Sequence, residues 1–162
     1  MRNIRASALG TGRVDAALSR IFRWGEGMTD RSSTVPVSVP EERCRPEKYR
    51  ISDVVLPHHR YVAYQVAVEL VLAVKEARIS DAKLRDEALR AAKGAVLNIV
   101  EAVGRVSRAD KARVFGIARG EATEVVAAVE LSALLGEAEM GASVRCVELG
   151  GRLIALLTGL MR

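Results

Sequence analysis

The sequence predicts an all-α protein: an antiparallel up-down four-helix bundle with a flexible N-terminal arm. Three observations predict it. Aromatic residues make up only 4% of the 162 residues while the apolar fraction is 49%, with Ala, Val and Leu dominant. That balance favours helix packed on helix over a sheet built on aromatic and β-branched pairs. From residue 57 onward, apolar residues recur at three- and four-residue spacing in long stretches parted by short breaks. These stretches are also apolar on more than one side, although one stripe is enough to join a core. The second stripe needs a second surface, most simply another subunit.

Residues 1–52 stand apart. Val14, Leu18, Ile21 and Phe22 fit one short amphipathic helix beside Arg13, Arg20 and Arg23. Gly25, Gly27, Ser32, Ser33, Pro36, Pro40 and Pro46 then break any period, since proline removes a donor and glycine and serine leave the chain loose. The reading is a basic, mostly disordered arm over 1–52 and a bundle over 53–162. Met28 offers an alternative start, which would make residues 1–27 no part of the protein.

Four helices follow. Pro57 suits a first helical turn, so the first helix is expected over 57–78. Ser80 or Asp81 caps the second, which Gly104 stops. Ser107 caps the third, with Asp110 three residues on in capping-box position, and Gly136 ends it after Leu135. The fourth runs from about Glu139 to residue 162. Short connections make sequential helices antiparallel neighbours.

Helical-wheel angles assign the faces. On the second helix Leu84, Ala88, Ala91, Ala95, Ile99 and Ala102 share the bundle face, and Val96, Leu97 and Val100 point elsewhere. On the third, Phe115, Ala118, Ala122, Val125, Val126 and Val129 oppose Ile117, Ala128, Leu131 and Leu135. On the fourth, Met140, Val144, Val147 and Ile154 oppose Leu149, Leu153, Leu156 and Leu160. The expected oligomer interface is therefore Val96, Leu97, Val100, Ile117, Leu131, Leu135, Leu149, Leu153, Leu156 and Leu160. Exposed apolar patches of this extent mark interfaces, and burying four such side chains contributes roughly 6–12 kcal/mol before association costs.

The net charge of +5 is unevenly spread. Residues 1–52 carry +4, residues 53–82 carry −1, residues 83–119 carry +5 and residues 120–162 carry −3. The body thus has one basic segment, around the break between its two central helices, which points to a polyanionic partner. Arg85, Arg90, Lys93, Arg105, Arg108, Lys111, Arg113 and Arg119 are the candidate phosphate contacts. No aromatic residues are interleaved among them, so binding should be weakly sequence-specific and salt-sensitive.

Several function classes lose their basis. The longest apolar run, 61–74, is interrupted by Gln65 and Glu69 and falls short of a membrane span. Residues 1–24 lack the continuous apolar segment of a secretory signal. Cys44 and Cys146 have no partner at ligand spacing, which fits a reducing cytoplasm and implies neither disulfide framework nor zinc site. His58 and His59 are adjacent and point about 100° apart on a helix, a poor arrangement for a shared metal. No P-loop or G-x-G-x-x-G occurs, and no cofactor is expected. Glu101 and Glu124 are the residues an enzyme would use as acid and base, but no nucleophile accompanies them. With Asn98 they are expected instead to form a structural polar cluster between the second and third helices.

The run Asn98-Ile99-Val100-Glu101-Ala102, followed by Gly104-Arg105 and Ser107, resembles the N-I-A-E-G…G-R-x-S signature of a bacterial family of four-helix-bundle proteins. These are encoded in intervening sequences of large-subunit ribosomal RNA genes. Phe115, Ala118-Arg119-Gly120 and Glu124 are similar to that family's F-x-x-x-A-[KR]-G-S-x-x-E, and Tyr64, Ala67 and Leu70 fall at its first-helix positions. Ala102 and Glu121 stand where the family usually has glycine and serine. The resemblance covers about residues 57–160. It implies a bundle that assembles into a ring, commonly a pentamer. One branch of the family is the accessory variability determinant of diversity-generating retroelements, a basic pentamer that associates with a reverse transcriptase and binds nucleic acid. The expected function is non-enzymatic binding of RNA or DNA, with a reverse transcriptase as candidate partner. The alternative is a structural adaptor recruiting protein partners through its doubly apolar helices.

Overall fold

A computed structural model of the chain describes residues 51–162. The expected arm and its short helix of Val14, Leu18, Ile21 and Phe22 lie outside the described residues, as does Met28. Among the described residues there are four α-helices and no strand: α1 (Val62–Glu76), α2 (Ala82–Gly104), α3 (Arg108–Leu134) and α4 (Met140–Leu160). A short 3-10 turn, Pro57–Arg60, precedes them.

The expected first helix is divided. Pro57 opens the 3-10 turn, and Tyr61, extended at φ −84° and ψ 121°, separates that turn from α1. The division has a local cause. The backbone N–H of Leu56 donates to His59 Nδ1 at 3.0 Å, and Gln65 Nε2 donates to the His59 carbonyl at 2.9 Å. The turn is thus closed on itself and tied to α1 by a side chain. α1 ends before residue 78 because Arg78 takes the left-handed conformation, φ 47°, that reverses the chain.

The remaining ends follow polar side chains. Asp81 rather than Ser80 caps α2, its Oδ1 accepting from Leu84 N at 2.7 Å. Ser80 instead donates through its N–H to the Glu137 carbonyl at 2.7 Å, joining the two connecting loops. Ser107 Oγ accepts from Asp110 N at 3.1 Å at the start of α3. Gly136, at φ 74°, turns the chain after α3. The Glu139 carboxylate accepts from Gly141 N and Ala142 N, capping α4 and drawing its own pKa down.

α2 packs on α1 and α3, and α4 packs on α1 and α3. The inward face of α2 is nearly all alanine: Ala88, Ala91, Ala92, Ala95 and Ala102, with Ile99. Facing side chains from the other helices fill the core, chiefly Leu70, Val74, Val114, Phe115, Val125, Val129 and Leu157. The α3 stripe begun by Phe115 is buried as its spacing predicts, Val126 only in part.

α4 corrects the wheel. Met140 and Val144 are exposed, and the buried face is Ser143, Cys146, Gly150, Leu153 and Leu157. Leu153, expected at an oligomer interface, is fully buried in the bundle. The reason is Gly150. A Cβ built there would lie 2.3 Å from Val126 Cγ2, so α3 approaches α4 on the glycine side and rotates Leu153 inward. No helix among the described residues is long and apolar enough to cross a membrane.

Candidate nucleic-acid interface

The basic segment folds as the connection between α2 and α3. Arg105 is the C-cap of α2, Val106 and Ser107 make the turn, and Arg108, Lys111 and Arg113 lie on the first turns of α3. Four cations therefore fall within nine residues at one connection. Their charges are partly engaged. The Arg105 guanidinium binds the Glu101 carboxylate one helical turn back and lies 3.4 Å from Asp110 Oδ2, which holds its proton more firmly still. Arg113 donates to Asp110 Oδ1 at 2.9 Å. Arg108 donates to the main-chain oxygen of Arg162. The Lys111 side chain has no ion-pair or hydrogen-bond partner among the described residues. The guanidinium groups of these contacts are exposed and Asp110 is partly so, and ion pairs near the surface contribute about 0–1 kcal/mol.

The other candidate cations lie elsewhere. Arg85 donates to the carbonyls of Ile79 and Ser80 at 3.3 and 3.5 Å, steadying the α1–α2 connection. Arg90 sits among three carboxylates, at 2.6 Å from Glu87, 2.8 Å from Glu124 and 3.4 Å from Glu121. The Arg90 guanidinium, helped by a hydrogen bond with Glu124, holds Glu87 down to about 2. Its partner Glu124 is pushed up, first because it shares that hydrogen bond with Glu87. Arg90 is thus enclosed by acid and is a weak candidate for a phosphate. Lys93 and Arg119 have no such partner among the described residues.

The expected polar cluster is not formed. Asn98 Nδ2 donates to the Gly94 carbonyl of its own helix at 2.9 Å. Glu101 is exposed and pairs with Arg105, and Glu124 is exposed and pairs with Arg90. The three residues thus serve three separate interactions. Water reaches both glutamates, so neither needs the buried partner that their apolar neighbours suggested.

The sequence reading missed Glu121. Its side chain is only 20% exposed, and it lies against Gly94, where a Cβ would meet Glu121 Cδ at 2.9 Å. Glycine on α2 makes room for a carboxylate on α3. The spacing of Gly94 and Glu121 in sequence carries no sign of this. The rings of His58, His59 and Tyr64 cluster, a contact the sequence reading did not anticipate, His58 lying 4.3 Å from His59 and 4.8 Å from Tyr64. Burial and the neighbouring His59 hold the His58 pKa down.

Of the expected interface residues, Leu97, Ile117, Leu131, Leu135 and Leu160 are exposed; Val96, Val100, Leu149 and Leu156 are half-buried. On α3 the outward positions Arg113, Ile117, Gly120, Glu124, Ala127, Leu131 and Leu134 alternate steps of four and three, the spacing of a seam between helices. A shallow cleft of about 510 Å³, lined by Glu76, Arg78, Glu139, Gly141, Ala142 and Arg145, contains none of the candidate residues. Among the described residues no group of three or more His, Cys, Asp or Glu is placed to hold a metal.

Fold and surface together define a helical bundle whose features lie on its outside: a basic turn and an outward apolar seam. A family model, 23S rRNA-intervening sequence protein, matches residues 60–150, more than half of the chain. The chain belongs to that family. No curated protein matches it.

Proposed function

We propose that this protein is a non-enzymatic, cytoplasmic, nucleic-acid-binding bundle of up-down topology that assembles into a ring. The observation that carries the binding half is the α2–α3 turn. Arg105, Arg108, Lys111 and Arg113 are gathered there, one of them unpaired and three held by exposed interactions that a phosphate can displace. The family's ribosomal RNA context supports the same reading. The assembly half rests on Leu97, Ile117, Leu131, Leu135 and Leu160, apolar and exposed in the single chain. A five-membered ring and a reverse transcriptase partner rest on the resemblance to the retroelement accessory proteins. In a five-fold ring the turn would repeat around one rim, and multivalency would add its weak contacts.

The test is fluorescence anisotropy with labelled single-stranded RNA and duplex DNA over a range of salt. Affinity should fall steeply with salt. Arg105→Glu combined with Arg108→Glu should abolish binding and leave the oligomer, measured by light scattering, intact. No binding by the wild type at low salt would favour the second reading, a protein adaptor. The exposed seam of α3 is the observation behind that alternative. A stable monomer at micromolar concentration would remove the ring.

A further inference from the structure

The α2–α3 turn carries a residue that its cations do not explain. Val106 is 98% exposed. It stands between Arg105 and Ser107 and packs against nothing in the core. A β-branched apolar residue is also a poor choice for a turn, where Gly, Asn, Asp and Ser supply local hydrogen bonds or conformational freedom.

The turn is nonetheless held stiffly on both sides of it. Arg105 N–H donates to the Ala102 carbonyl at 3.2 Å, and Lys111 N–H to the Ser107 carbonyl at 3.0 Å. Ser107 caps α3, and the Arg105 side chain spans the turn from Glu101 to Asp110. Val106 is thus presented at the tip of a connection that carries Arg105, Arg108, Lys111 and Arg113 on its two sides in sequence.

We propose that Val106 is an apolar wedge that enters the base stack of duplex DNA while the surrounding cations hold the flanking phosphates. The inference rests on the nucleic-acid reading above and names the form of nucleic acid that the turn takes. The charge pattern favours a polyanion over an apolar pocket in a protein. Residues 105–113 hold no aromatic side chain, the main stacking platform for the bases of a single strand, which favours a duplex. A protruding aliphatic side chain works instead by parting stacked pairs. Pyrimidine–purine steps part at least cost and are the expected points of entry.

The test uses the full chain with a duplex carrying 2-aminopurine at a TA step, and the matching single strand. Wild-type binding should raise the 2-aminopurine fluorescence of the duplex, as unstacking does. Val106→Ser, at so exposed a position, should fold normally. It should weaken duplex binding about tenfold, the value of partly burying a valine. It should also remove the fluorescence rise and leave the dependence on salt unchanged. Arg108→Gln should do the reverse, lowering the salt slope by about one while the rise persists at saturation. Duplex binding with unchanged affinity and an unchanged rise in Val106→Ser overturns the wedge alone. So does equal weakening of duplex and single strand. No binding of any nucleic acid by the wild type overturns the wedge and the reading beneath it together.

Discussion

Asp110 and Arg105 face each other across the α2–α3 turn, 3.4 Å apart, and the same carboxylate also receives Arg113 at 2.9 Å. One acid therefore restrains two of the four cations of the turn. Asp110→Asn should release Arg113 and leave Arg105 held by Glu101 alone. Nucleic-acid affinity at low salt should rise and the salt slope should steepen by about one, for the freed phosphate contact. Thermal stability should fall only slightly, since an exposed pair and an acid in the first turn of a helix each contribute about 1 kcal/mol or less. Affinity unchanged in Asp110→Asn would mean that the turn does not meet phosphate.

Gly150 and Gly94 should respond in opposite ways to the same change. A methyl group at Gly150 meets the Cγ2 methyl of Val126 at 2.3 Å, with the Ala122 carbonyl behind it. Gly150→Ala should destabilise the fold by about 1–3 kcal/mol, as overpacking does, and Val126→Ala should recover part of that loss. A methyl group at Gly94 meets only the mobile end of Glu121. Gly94→Ala should be neutral or stabilising, because alanine favours a helix by about 1 kcal/mol over glycine. Thermal melts of Gly150→Ala, Gly94→Ala and the Gly150→Ala, Val126→Ala double variant decide the matter. Equal losses at the two glycines would refute the close approach of α3 and α4.

Burial pushes the Cys146 thiol up to about 11 from its ordinary value near 9. The folded state thus holds this proton more tightly than the unfolded chain does. The associated stability is complete below about pH 9 and is lost as pH rises through about 11, an amount on the order of 2–3 kcal/mol. Melts of the wild type should weaken over that window more than melts of Cys146→Ala. Parallel curves would refute a buried thiol.

Arg90 keeps Glu87, Glu121 and Glu124 from opposing one another. Its hold on Glu87, at about 2, favours the fold above the usual carboxylate range and is lost as pH falls to that value; the raised Glu124 runs the other way. Arg90→Gln leaves three like charges at one place. The variant should melt below the wild type at neutral pH, and the gap should narrow below the usual carboxylate range and close only toward about pH 2, where Glu87 is protonated in the wild type as well. A gap independent of pH would show that Arg90 acts through packing alone.

The sequence carried the helices well and their outer faces less well. Alanines at 88, 91, 95 and 102 share one face under any wheel, and that face is buried. The face of α4 was less legible, because leucines and valines surround that helix and the deciding residue is Gly150, which has no side chain to count. The break before α1 depends on His59 and Gln65 bonding to backbone groups, which no hydrophobic period reports. The basic turn was visible as a charge cluster. Its pairing with Glu101 and Asp110 was visible in principle, since those acids lie four and five residues away. Glu121 over Gly94 and the Arg90 cluster join residues up to 34 apart and needed the fold.

An inner face made of alanines also constrains how this chain can change. Each alanine is already the smallest side chain a stable helix can carry, so there is nothing left to trim. Anything larger drives α2 from its neighbours and disturbs every contact along its length. Variation in this protein should therefore collect on its exterior. Relatives would share an almost fixed interior spine while exchanging the surfaces by which they choose their partners.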